Sequence, residues 1–155
     1  MLFRGSLFGV SMKAEGIDHV ELRVSHYELS VRFYNRILLP LGFKKVHIKG
    51  ETVTCYVKGR SSLGIRPVRK RKGIRNISYS YKRAGIHHVA ISVGARREVD
   101  EFYRLLLAEK VKVLYPPRKY SQYGRWYYSV FFLDPDGIDL EVLCWNAPQG
   151  KYRRN

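Results

Sequence analysis

Cysteine is scarce in this chain of 155 residues: Cys55 and Cys144 are the only two. Without a CxxC pair or a histidine at zinc-finger distance, they cannot build the disulfide framework that staples small secreted domains. Both lie in apolar runs, VTCYV and EVLCW, where a thiol is expected to act as a small buried hydrophobe. A reducing, cytoplasmic setting is the matching expectation. Acidic residues are also few, 13 against 29 Lys and Arg, which gives a net charge of +16. Such an excess favours anionic partners, with a basic solvated surface as the plainer alternative. Long apolar runs are missing too, and none approaches the ~20 residues that a membrane span needs. The opening MLFRGSLFGVSMKAEG has its apolar stretch broken by glycine and no clear cleavage site, so it is read as an extension over residues 1–15 rather than a signal peptide.

What is present is a repeat. IDHVELRVS at 17–25 and IHHVAISVG at 86–94 share I-x-H-V-x-x-x-V at an offset of 69. At the same offset Phe33-Tyr34 falls on Phe102-Tyr103 and Ile37 on Leu106. In each first block apolar residues alternate with polar ones, Val20, Leu22 and Val24 against His19, Glu21 and Arg23, as a half-buried strand requires. The same alternation sets His87 away from His88. Helical spacing follows, through Leu29, Phe33 and Ile37 in the first copy and Val99, Phe102 and Leu106 in the second.

Three short strands close each copy: GFKKVHIKG, TVTCYVKG and SSLGIRPV, then KVKVLYPP, WYYSVFFLD and IDLEVLCW, the last two joined by an Asp134-Pro135-Asp136-Gly137 turn. The expected fold is α+β, a single domain over 16–146. It is built from two βαβββ modules, 16–68 and 86–146, each a strand, a helix and three further strands. A basic linker, 69–85, joins them, and a basic tail, 147–155, follows. Tyr79 and Tyr81 in that linker are candidates for gripping nucleic acid among Arg and Lys, or for packing on the domain edge as part of a solvated connector, which is the favoured reading.

DHVELRV followed by SVRFYNRILLPLGF, then HHVAISV, then VFFLDPDGIDLEVLCW, resembles the vicinal oxygen chelate superfamily, which includes glyoxalase I, extradiol dioxygenases and fosfomycin-modifying thiol transferases. The resemblance implies that the two modules form a curved, cup-shaped mixed sheet with helices outside, and that a divalent metal (Fe, Mn, Zn, Ni or Co) is held by His19, His88 and Glu141. The fourth ligand position, by alignment of KGRSSLGIRPV with LDPDGIDLEVL, falls on Arg66, which offers no lone pair. Three ligands leave open positions for two neighbouring substrate oxygens or for water. The resemblance also implies a homodimer, in some relatives with units exchanged so that ligands come from two chains.

Two positions depart from the relatives: Phe131 stands where extradiol dioxygenases carry an acid tyrosine, and Glu21 where glutathione-type fosfomycin transferases carry threonine. The expected activity is that of a metal-dependent enzyme on a small, oxygen-rich, anionic substrate. Glu21 and Tyr123 are candidates for proton transfer, Glu21 alternatively pairing with Arg23 or Arg66. Arg23, Arg66, Tyr120 and Arg125 are candidate substrate contacts. The rival reading is a drug-sequestering, bleomycin-resistance-like binding protein without metal, whose Arg66 salt-bridges Glu141.

Overall fold

The computed structural model of the protein describes residues 14–68, 79–80 and 84–145. Each half runs strand, helix, three strands. The first contains β1 (His19–Val24), α1 (Tyr27–Leu38), β2 (Lys44–His47), β3 (Thr54–Lys58) and β4 (Ser61–Pro67). The second contains β5 (His88–Ser92), α2 (Arg96–Ala108), β6 (Val113–Lys119), β7 (Tyr127–Leu133) and β8 (Asp139–Trp145). The strands form two four-stranded mixed sheets of the same order, β1-β4-β3-β2 and β5-β8-β7-β6. In each, the first strand lies parallel to the last and the other neighbours are antiparallel.

Alternation explains the layering. Leu22 and Val24 of β1, Leu63 and Ile65 of β4, and Leu140, Val142 and Cys144 of β8 turn one face of each sheet into a single core shared by both halves and both helices. The opposite faces carry the polar members, His19, Glu21 and Arg23 in one sheet and His88 and Glu141 in the other. On α2 the buried residues are Val99, Phe102 and Leu106, as the spacing predicts. On α1 the face is turned: Val31, Tyr34, Ile37 and Leu38 are buried, whereas Leu29 is exposed. Tyr34 decides this, because its buried hydroxyl donates to Asp134 Oδ2 at 2.9 Å, in the turn between β7 and β8.

That turn clamps the halves together. Asp134 Oδ1 accepts from the backbone N–H groups of Asp136 and Ile138, Gly137 takes φ +85°, and the Asp136 carboxylate accepts from the Ser25 N–H at the end of β1. Of the basic linker, Tyr79 is placed on the core edge, its hydroxyl donating to the carbonyls of Ile86 and His87. Tyr81, the run that would meet nucleic acid, residues 1–13 and the basic tail lie outside the described residues. Among the described residues no helix is long and apolar enough to cross a membrane.

Candidate functional site

The β5–β8 register sets Ala90 opposite Glu141, and β7–β8 sets Phe131 opposite Glu141 and Tyr127 opposite Trp145. A small residue on one side and aromatics on the other bury a carboxylate: Glu141 has no exposed surface. The Tyr127 hydroxyl donates to Glu141 Oε1 at 2.6 Å. Among the described residues Oε2 accepts no hydrogen bond, yet it lies 3.3 Å from His88 Nε2. A buried carboxylate oxygen without a donor is costly unless something positive meets it. An imidazole nitrogen and an orphaned carboxylate oxygen turned to one point are the donors a divalent cation takes, so these residues fit the metal implied by the family.

The second ring nitrogen of His88 is held from behind. His87 Nδ1 lies 2.7 Å from His88 Nδ1, with the rings edge to face. The expectation that His87 points away from His88 is corrected here, because β5 begins at His88 and strand alternation does not extend to His87.

Around this pair lies a cavity of about 540 Å³. Its walls are Tyr115, Tyr120, Tyr123, Tyr127, Phe131 and Trp145, with His87 and Asp139 adding polar edges. Tyr120 is buried and its hydroxyl has no hydrogen-bond partner among the described residues, while Tyr123 stands at the mouth, 59% exposed. Burial first, and then the bond to Glu141, push the Tyr127 phenol well above its ordinary pKa. Arg118 stacks over the rings of Tyr115 and Tyr120 at 5.0 and 4.7 Å. A second cavity, about 450 Å³ beside Lys58 and Glu98 between the halves, includes neither His88 nor Glu141.

The equivalent face of the first sheet is wired differently. Glu21 is opposite Gly64, and Arg66 is opposite Arg23. Since Glu21 and Ala90 are equivalent by the repeat, Gly64 rather than Arg66 occupies the place of Glu141. The alignment through the hairpins misplaces it by two residues, because the parallel registers pair Glu21 with Gly64 and Ala90 with Glu141. The Glu21 side chain fills the space over Gly64; a Cβ there would lie 2.9 Å from Glu21 Cγ.

Arg66 gives Nε and Nη2 to the two Glu21 oxygens at 2.8 and 3.2 Å and Nη1 to Glu51 at 2.7 Å. Its hydrogen bonds hold the Glu21 carboxyl below its ordinary pKa, which weakens Glu21 as a proton acceptor. Arg66 bonds Glu21 and Glu51 instead of Glu141, and two carboxylates already neutralise it.

Of the expected metal ligands, His88 and Glu141 are brought together. His19 sits on the other sheet, largely exposed, with Nδ1 at 2.8 Å from Asp18 Oδ1. Among the described residues no three His, Cys, Asp or Glu side chains are grouped to hold one ion within a single chain. Tyr120 and Tyr123 share the cavity with His88 and Glu141. Arg23 is exposed on β1, and Arg125 stacks on Trp126 at 4.9 Å. Sequence reasoning missed the contact of Tyr127 with Glu141; the signal available was that both alternate onto the same face of β7 and β8.

Comparison with known proteins agrees with this architecture. The Glyoxalase/Bleomycin resistance protein/Dioxygenase superfamily model matches residues 16–142. The chain is 33% identical over 128 residues to the Bacillus subtilis (strain 168) protein YqjT, itself uncharacterised, covering 83% of this chain and 98% of that one. It is 32% identical over 129 residues to metallothiol transferase FosB of Shouchella clausii (strain KSM-K16), covering 82% of this chain and 78% of FosB. Among solved structures, a Bacillus halodurans protein described as a candidate glyoxalase superposes with TM-score 0.70 at 26% identity, over 84% of this chain and 96% of its own. Lactoylglutathione lyase from Agrobacterium tumefaciens shares the fold with TM-score 0.64 at 20% identity, over 88% of this chain and all of its own. Paired βαβββ modules, a buried Glu141 facing His88 and a match along most of the chain lead to one conclusion: the protein belongs to the glyoxalase, bleomycin resistance protein and dioxygenase superfamily.

Proposed function

We propose that the protein is a metal-dependent enzyme of the glyoxalase or dioxygenase type acting on a small, oxygen-bearing substrate. The observation that carries this reading is Glu141 Oε2, buried without a hydrogen-bond donor among the described residues and facing His88 Nε2 at 3.3 Å. His88 and Glu141 hold the ion from one chain, and His19 of a second copy supplies the third ligand, so the active form is a homodimer. Relationship to a protein named metallothiol transferase supports metal use. When bound, a divalent ion acts as a Lewis acid on a substrate oxygen.

The side chains of this protein do the rest. Aromatic walls exclude water and hold the apolar body of the substrate. The Tyr120 hydroxyl, buried in the cavity without a hydrogen-bond partner among the described residues, is the donor offered to a substrate oxygen. Tyr123, at the mouth, is placed to exchange a proton with a bound molecule and with solvent. Arg118 rather than Arg66 attracts an anionic group, because two carboxylates already neutralise Arg66.

Elemental analysis of the purified protein beside His88→Ala and Glu141→Gln tests this. One divalent ion per chain in the wild type, lost from both variants, is the expected result. Stoichiometric binding of aromatic compounds by protein that takes up no metal would instead favour a sequestering role, for which the aromatic walls are equally suited.

A further inference from the structure

Six aromatic rings wall the cavity, and only one of its tyrosine hydroxyls is bonded to the carboxylate at its floor. Tyr127 donates to Glu141 Oε1 at 2.6 Å, whereas the Tyr120 hydroxyl, buried in the same cavity, has no hydrogen-bond partner among the described residues. The bond is therefore a specific pairing and not a general result of lining a pocket with tyrosines. It is short and formed to a carboxylate shielded from water, which places it among the stronger kinds of hydrogen bond.

The donor is also held still. The Tyr127 ring meets Trp145 edge to face at 4.7 Å and packs on Tyr123 at 5.3 Å. With ring and strand both fixed, the hydroxyl has one place to point. A carboxylate free to rotate can offer either oxygen, or both, to an ion. With Oε1 occupied by Tyr127, Glu141 presents only Oε2 toward His88.

We infer that Tyr127 is a positioning residue: by holding Glu141 Oε1 it makes Glu141 a one-oxygen ligand aimed at the point shared with His88. This inference rests on the metal-dependent reading above. A one-oxygen carboxylate keeps a coordination position open for substrate, and a pre-aimed ligand binds the ion more tightly than one that must first be ordered. Groups that orient a metal ligand in this way change affinity by about 10–100-fold when removed.

The test is titration of the metal-free protein with Co²⁺, followed by calorimetry and by the visible absorption of the bound ion, in wild type, Tyr127→Phe and Tyr120→Phe. Tyr127→Phe is expected to weaken Co²⁺ binding by about 10–100-fold and to change the visible bands, which report coordination number and geometry. Tyr120→Phe is expected to change neither. Wild-type affinity and an unchanged spectrum in Tyr127→Phe overturn the inference and leave the metal reading intact; absence of Co²⁺ binding by the wild type overturns both. If Tyr127→Phe folds poorly, 3-fluorotyrosine at position 127 keeps the size of the ring and alters the hydroxyl as a donor. A spectral change there, absent for the same replacement at position 120, supports the role, and no change at position 127 refutes it.

Discussion

Gly64 and Ala90 each leave room on their own sheet for one carboxylate, Glu21 over the first and Glu141 beside the second. The acid comes from β1 in one module and from β8 in the other, so one structural position has been solved twice in opposite ways. Gly64→Ala is expected to destabilise the protein by about 1–3 kcal/mol, because its Cβ would meet Glu21 Cγ at 2.9 Å. Denaturant unfolding checks this, and in a Glu21→Ala background the same change should be nearly neutral. Arg66 holds the Glu21 carboxyl below its ordinary pKa, so the pair stabilises fully at neutral pH and the contribution is lost as pH falls through the folded value. Melting temperature followed from neutral pH to below about 4 should therefore fall more steeply in wild type than in Glu21→Gln. The residue types were legible in the sequence, but their assignment was not. A shift of two residues keeps a side chain on the same face, so Arg66 looked like the counterpart of Glu141 until the parallel register of β1 and β4 put Gly64 there.

The elements themselves were written plainly, because a repeat supplies the same pattern twice and each copy checks the other. Every expected strand is present, and α2 buries the face its spacing predicts. The face of α1 was not legible, since Leu29 and Tyr34 compete for burial on apolar spacing alone. The winner is chosen by Asp134, a hundred residues away, whose carboxylate accepts the Tyr34 hydroxyl. The Asp134 turn reads in sequence as a simple hairpin loop, whereas in the fold it ties α1 and β1 to β7 and β8. Removing the Tyr34 hydroxyl as Tyr34→Phe takes one donor from a buried carboxylate, at an expected cost of about 1–3 kcal/mol. Urea unfolding measures it, and an unchanged midpoint would mean that the turn does not clamp the halves.

At the scale of the whole molecule, one core joins both modules through the helix-bearing faces of their sheets, and among the described residues His19 is not grouped with His88 and Glu141 to hold one ion. That packing explains why His88 and Glu141 meet while His19, at the equivalent point of the repeat, remains on the first sheet beside Asp18. Sequence symmetry marks equivalent positions; it does not say whether they converge in one chain or across two. The proposed centre therefore draws His19 from a second copy. Calorimetric titration of Mn²⁺ or Zn²⁺ into His19→Ala, His88→Ala and an equimolar mixture of the two after subunit exchange tests this directly. The account predicts that each variant alone loses the high-affinity site and that the mixture regains it at about one site in four, from the mixed dimers that retain one intact ligand set. Wild-type metal binding by His19→Ala alone, or no recovery in a mixture shown to contain mixed dimers, would contradict it.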